Sequence, residues 1–267
     1  MSLLKSMQQW HPKKVYLFLV LGGFFIANAL LAEFIGVKIF SLERTLGFEP
    51  LRMQLLGFED LGFNLTAGVL LWPVVFIMTD IINEYYGMRG VRLFSFFAAV
   101  LIAYAFLMVF MSIGLVPADF WLNYRQEQGV PNMQSAFQAI FGQGLWIISG
   151  SLVAFLVGQL VDVLVFHRVK SITGERFIWL RATGSTLVSQ FIDSFVVLFI
   201  AFYLGADWSL KLVLGIGLVN YMYKFTAAIL LTPLIYLGHF LIDRYLGEEL
   251  SKKMREEAHA NRALASV

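Results

Sequence analysis

The sequence predicts an all-α integral membrane protein of six transmembrane helices, with both termini in the cytoplasm. Three observations predict it: an apolar excess, six apolar stretches of spanning length, and an alternation of positive charge between the links that join them. Of 267 residues, 59% are hydrophobic and 14% are charged. The mean hydropathy is +0.74. A soluble domain carries roughly 45–50% apolar and about 25% charged residues. This surplus leaves too little polar surface to coat a water-facing globule, and lipid is the solvent that tolerates it. The 26 Phe point the same way. There is no Cys, which excludes disulfides, iron–sulfur clusters and thiolate metal sites.

A spanning helix needs about 20 mostly apolar residues, and six segments qualify: roughly 15–35, 63–83, 93–113, 143–166, 182–204 and 212–241. The first follows a short polar start and lacks a small-residue cleavage site, so it reads as a retained helix and not a signal peptide. The second contains Trp72-Pro73 and the sixth Thr232-Pro233, both read as kinks. Two links are long, about 36–62 and about 114–142, and the others are short. The charged tail, 243–267, reads as a helix end followed by a frayed segment. The whole chain is a single transmembrane domain. Three helices per half would face opposite ways, which is compatible with two inverted three-helix halves.

Orientation follows from Lys and Arg. One side has Lys5, Lys13, Lys14, Arg89, Arg92, Arg168, Lys170, Arg176, Arg181, Arg244, Lys252, Lys253, Arg255 and Arg262, 14 in all. The alternate loops hold 5: Lys38, Arg44, Arg52, Arg125 and Lys211. Positive charge stays inside, so both ends are expected in the cytoplasm.

Polar residues within the spans need a reason, because a charge at the bilayer centre costs at least about 2.5–3.5 kcal/mol. Thr186, Ser189, Gln190 and Asp193 fall at i, i+3, i+4 and i+7, one face of helix 5. Asp193 is about 12 residues, or about 18 Å, from the cytoplasmic end. Asn220 and Lys224 are i, i+4 on helix 6, with Lys224 at similar depth. The short link makes these helices antiparallel neighbours, so Asp193 and Lys224 are a candidate buried ion pair, structural or functional. Asp80, Asn83 and Glu84 share a face near the cytoplasmic end of helix 2, with Arg89 and Arg92 as candidate counter-charges. Gln159 and Asp162 end helix 4 before His167, Arg168 and Lys170. These two groups form either a cytoplasmic latch or a substrate vestibule. Asn28 falls mid-helix in helix 1. Glu33 is expected at the outer surface and solvated, and His239 at the cytoplasmic interface.

The sequence holds no phosphate loop and no HExxH metal motif, and no serine sits in a protease-like motif with a partner histidine. An intramembrane enzyme is therefore disfavoured. A structural or assembly protein is disfavoured by polar residues in four helices. A transporter remains, with a substrate-capture subunit of a multi-component uptake system as the alternative. The expectation includes no catalytic residue, no metal and no cofactor.

Three stretches resemble the queuosine precursor transporter family, also described as vitamin-uptake-transporter-like. They are Thr79–Gly87 (Thr-Asp-Ile-Ile-Asn-Glu-Tyr-Tyr-Gly), Gly158–Phe166 (Gly-Gln-Leu-Val-Asp-Val-Leu-Val-Phe) and Thr183–Ser194 (Thr-Gly-Ser-Thr-Leu-Val-Ser-Gln-Phe-Ile-Asp-Ser), followed by Tyr223-Lys224. The resemblance covers nearly the whole chain past the N-terminus. It implies a six-helix protein of the inner (plasma) membrane that imports 7-cyano-7-deazaguanine or its aminomethyl relative for queuosine synthesis in transfer RNA. The family is also similar to six-helix substrate-binding subunits of energy-coupling-factor transporters. With such a substrate, Asp193 is the first choice to accept the adjacent ring N–H and exocyclic amine. Gln190, Asn220, Asn28 and Ser189 are candidates for its other polar atoms. Phe191, Tyr221 and Tyr223 are candidates for stacking, and Lys224 for the carbonyl or for balancing Asp193. Asp80, Asn83, Glu84, Gln159 and Asp162 are assigned to gating or ion coupling, with facilitated diffusion as the alternative. The two long loops would cap an outward cavity. The expected partners are a small modified purine and membrane lipid, no nucleic acid, and an assembly compatible with a homodimer.

Overall fold

A computed structural model describes residues 11–55, 57–142, 144–173 and 178–263. Lys5 and Arg176 of the charge count, and tail residues 264–267, lie outside the described residues. Five helical stretches among the described residues are long and apolar enough to cross a membrane: Pro12–Ile35, Ala67–Ile113, Met133–Thr173, Gly184–Leu204 and Leu210–Leu246. Their outer faces carry bare apolar side chains, with Phe110 and Leu230 each 72% exposed. Water would not tolerate an apolar exterior of this extent, and hydrocarbon does.

Six helices carry the architecture: α1 (Pro12–Ile35), α2 (Trp72–Ile113), α3 (Leu145–Thr173), α4 (Ile178–Leu198), α5 (Leu210–Leu246) and α6 (Glu248–Ala263). α1 starts with Pro12 in its first turn, where the missing N–H costs nothing, and His11 Nδ1 accepts from the Lys13 N–H. α4 continues as a π-helical turn over Phe199–Leu204.

α2 is two helical arms joined at one residue. Gly87 has φ 69° and ψ −177° inside otherwise helical backbone. Phe18 of α1 packs on Tyr86 before that point and on Phe94 after it, at 4.9 and 4.5 Å between ring centroids. At the other end of α1, Gly68 lies against the Ala32 carbonyl and Phe34 stacks on Phe106. The chain therefore climbs along α1, runs back down beside it in the first arm of α2, reverses at Gly87, and climbs beside it again in the second arm. The sequence reading placed these arms at 63–83 and 93–113 with a loop between. The reversal instead takes a single glycine in a backbone region that is essentially glycine-only. Gly87→Ala is expected to cost about 1–3 kcal/mol and to lower the melting temperature of the detergent-solubilised protein. Gly23→Ala is the control, since a methyl added there meets nothing within 4 Å. Equal melting of the two variants would show that the reversal tolerates a side chain.

The start of the first arm of α2 also differs from the reading. Asn64–Thr66 is a strand (β4) paired antiparallel with β1 (Ile39–Ser41), in register Phe40 with Leu65. A second antiparallel pair joins β2 (Met53–Leu55) to β3 (Phe58–Leu61). Trp72-Pro73 is thus the first turn of α2, the position proline favours, and not an internal kink. The loop is pinned by Glu43, which is buried and accepts from the Phe63 N–H at 2.8 Å and from the Ser41 hydroxyl at 3.0 Å. Burial alone would raise its pKa, but these donors outweigh it and hold the carboxyl below the usual value. The second long loop holds the short helix Met133–Phe141, capped by Asn132 Oδ1 accepting from the Ser135 N–H.

The core joins α1, both arms of α2 and α3 around Phe25, Ala29, Val75, Ile82, Ala98 and Phe155, all essentially fully buried. Close approach of α3 and α5 to α4 depends on small residues: a Cβ at Gly150 would lie 3.2 Å from the Val197 carbonyl, and one at Gly217 2.7 Å from the Phe195 ring. The residues read as a frayed tail form α6. Gly247, at φ 86° and ψ 155°, turns the chain out of α5. α6 then buries Ser251, Met254 and Ala258, and lays Ala258 against Gly87. Lys14 closes it from α1 with a 2.7 Å ion pair to Glu257. The bundle thus has a terminal end, sealed by α6, and a loop end, covered by the strands and the Met133–Phe141 helix.

Candidate functional site

Polar groups buried between the spans gather in two places. The first is a cavity of about 170 Å³ in the loop-end half, between the end of α1, the start of α2, the start of α3, the end of α4 and the first half of α5. That is room for several waters, each taking about 30 Å³, or for one small ring system. Asp193 of α4 and Lys224 of α5 both line it. Lys224 Nζ donates to Asp193 Oδ2 at 2.5 Å, and their side chains are 8% and 14% exposed. The short 205–209 link makes α4 and α5 antiparallel, and similar distances from that link, 12 and 15 residues, bring the two residues to a similar level. Asn220, one turn before Lys224, also lines the cavity.

The other residues expected to bind a ligand fall elsewhere. Asn28 Nδ2 donates to the Phe24 carbonyl of its own helix at 2.8 Å. Ser189 donates to Asp162 Oδ1 at 3.1 Å, away from the cavity. Gln190 is buried with neither amide atom hydrogen-bonded to any of the described residues, beside a narrow gap that Lys224 also lines. Tyr221 packs edge-on against Phe191 at 5.2 Å, and Phe191 is among the exposed apolar residues. The aromatic residues lining the cavity are instead Trp72 and Phe202. Phe202 belongs to the π-helical turn, a distortion frequent at functional sites.

Glu33 is the largest departure from expectation. It is buried and lines the same cavity, where it accepts from the Ser151 hydroxyl. Its position in the last turn of α1 suggests a solvated side chain. Distant segments surround it: Gly68, Trp72, Ser151 and Asp193 line the same cavity. The available signal was an acid in a helix otherwise free of charge from Val15 to Ile35.

The second polar group lies toward the terminal end. Ser185 and Thr186 of α4 donate to Asp80 at 3.4 and 3.3 Å. Ser189, one turn on, donates to Asp162, so both carboxylates lie on one face of α4. Asp162 Oδ2 and both amide atoms of Asn83 are buried without a hydrogen-bond partner among the described residues. Gln159 Oε1 accepts from Thr79 at 2.8 Å. Below this layer Lys170 donates to both oxygens of Glu84, at 3.1 and 3.2 Å. The base paired with Glu84 across these helix ends is Lys170, while Arg89 and Arg92, the candidate counter-charges, are exposed. His239, expected at the interface, is buried with its Nδ1 3.1 Å from the Tyr85 hydroxyl, which also donates to Asp243 at 2.8 Å. Among the described residues no three His, Asp or Glu are grouped to hold a metal ion.

Comparison with known proteins agrees with the motifs. The family model described as "Putative vitamin uptake transporter" matches residues 66–238, which includes both polar layers except Glu33. A protein of Bacillus subtilis named "Probable queuosine precursor transporter" is 30% identical over 188 residues, covering 69% of this chain and 76% of the relative. A Haemophilus influenzae protein of the same name is 28% identical, over 66% of this chain and 68% of its own length. The "Queuosine precursor transporter" of Escherichia coli is 28% identical, over 77% and 83%. No solved structure gives a significant match. With polar layers buried inside an apolar bundle and three such relatives, this chain belongs to the queuosine precursor transporter family of multi-pass membrane proteins.

Proposed function

We propose that this protein resides in the plasma membrane and imports a queuosine precursor, 7-cyano-7-deazaguanine or its aminomethyl relative, into the cytoplasm. In this reading the chain crosses six times, each arm of α2 counting once, and the terminal end faces the cytoplasm as the Lys and Arg bias requires. The loop-end cavity is then the outward-facing binding site. The observation that carries the reading is the Asp193–Lys224 pair at its wall. It offers a carboxylate acceptor and an ammonium donor side by side, which suits a planar base with both kinds of edge. Trp72 and Phe202 supply faces for stacking. A lipid-facing or packing role would need neither charge.

The layer of Asp80, Asn83, Gln159 and Asp162, closed by Glu84 and Lys170, serves as the cytoplasmic barrier. Asp80 and Asp162 are the groups that couple entry to an ion. The direct test is a cell lacking its own precursor synthesis. Expression of this chain with precursor supplied is expected to restore queuosine in transfer RNA. A yield no higher than the empty vector would sink the import reading.

A further inference from the structure

A separate cavity of about 110 Å³ lies between the second arm of α2 and α3. Arg92, Ser95 and Phe96 line it from α2 at i, i+3 and i+4, and Leu156, Gln159 and Leu160 line it from α3 at the same spacing. Arg92, Phe96, Leu156 and Leu160 are exposed, so the cavity is a groove in the outer face of the bundle. Its groups are graded along the axis. Arg92 is at the terminal end, five residues past the Gly87 reversal. Ser95 is one turn further in, about 4.5 Å at 1.5 Å per residue, and its hydroxyl lies 3.5 Å from Gln159 Oε1. Beyond them the wall is apolar, with Phe96 on α2 and Leu156 a turn nearer the loop end on α3. Gln159 is buried; its Oε1 accepts from Thr79 and Ser95, while its Nε2 has no acceptor among the described residues. A buried N–H without an acceptor is costly.

We propose that this groove seats one phospholipid of the leaflet that meets the terminal end. Its anionic headgroup lies on Arg92, a glycerol ester carbonyl accepts from Gln159 Nε2, and the start of an acyl chain runs along Phe96, Leu156 and Leu160. The order of groups in the groove is that of a phospholipid: an anion at the surface, ester acceptors a few Å deeper, then hydrocarbon. Basic pockets between spanning helices hold anionic headgroups in this way. The residues lining the groove include no acid. A net-anionic headgroup is therefore favoured over a zwitterionic one, whose ammonium would meet no carboxylate. Through the Gln159–Thr79 bond the seat adjoins the buried polar layer of the terminal end. It is independent of what the loop-end cavity carries.

The test titrates purified protein in detergent with phosphatidylglycerol or phosphatidylcholine of identical chains and counts bound lipid by native mass spectrometry. Wild-type, Arg92→Gln, Arg89→Gln and Leu160→Trp chains are compared. Arg89 is exposed like Arg92 but does not line the groove. The wild type is expected to retain one phosphatidylglycerol more tightly than phosphatidylcholine. Arg92→Gln is expected to weaken phosphatidylglycerol about fivefold, the scale of one basic side chain's attraction to an anionic leaflet, and to leave phosphatidylcholine unchanged. Arg89→Gln should stay near wild type. Leu160→Trp, which fills the groove, should weaken both lipids. If Leu160→Trp yields no folded protein, Leu156→Phe takes its place with the same expectation. Equal retention of the two lipids by the wild type, equal losses in Arg89→Gln and Arg92→Gln, or wild-type binding in the groove-filled variant would each overturn the seat.

Discussion

Lys224→Met is expected to reduce precursor uptake about a hundredfold, the equivalent of roughly 2.7 kcal/mol of lost recognition. It is also expected to destabilise the protein. Removing one partner of a buried ion pair costs about 3–5 kcal/mol, since the remaining charge is left uncompensated. Asp193 would be that charge, at 14% exposure and with its 2.5 Å partner gone. The two effects separate in the double variant Asp193→Asn, Lys224→Met. Nothing charged is then stranded, so the melting temperature should return to near wild-type. Uptake should not return, because the donor that meets the ligand's carbonyl is still missing. A double variant that recovers both would make the pair purely structural and move the site elsewhere. Asp193→Asn alone should lose uptake while still inserting, as Lys224 is freed from the direction in which the carboxylate holds it.

This pair was legible in the sequence because local geometry determines it. Two helices joined by a few residues must be antiparallel neighbours, and counting from the link puts Asp193 and Lys224 at a similar level. The inner carboxylates were legible as a group for a similar reason: i, i+3 and i+4 spacing puts Asp80, Asn83 and Glu84 on one face. Their partners were not, since Lys170 and Ser185 are about a hundred residues away and are chosen by how α3 and α4 pack on α2. Glu33 fails on the same ground. Helical position alone leaves it at a frayed, solvated end, and the residues around it, Gly68, Ser151 and Asp193, come from distant segments.

Boundaries failed where tertiary pairing overrode hydropathy. Phe63–Thr66 is apolar enough to open a span, yet Asn64–Thr66 pairs with Ile39–Ser41 as a strand, and proline then sets the helix start at Trp72. Residues 84–92 fall between the two apolar stretches and so read as a short link. A single residue at φ 69° performs the reversal, and helix runs up to it on both sides.

The terminal end answers a different question, how the inner barrier opens. Glu84 and Lys170 are 1% and 3% exposed and join the first arm of α2 to α3. Lys170→Met alone is expected to cost about 3–5 kcal/mol of stability, measured by thermal unfolding in detergent. The double variant Glu84→Met, Lys170→Met should melt at or above the wild-type temperature, because replacing a buried ion pair with apolar groups is often neutral or stabilising by about 1–4 kcal/mol. That gain belongs to the closed state. Ions regain hydration when the barrier opens, whereas two Met side chains would be exposed to water. Each 1.4 kcal/mol of added closed-state stability then slows opening about tenfold. The stable double variant should therefore bind precursor from the loop side as the wild type does and release it inward about ten- to a hundredfold more slowly. Unchanged transport in a protein that melts higher would make the pair a structural tie and place the moving barrier at Asp80 and Asp162.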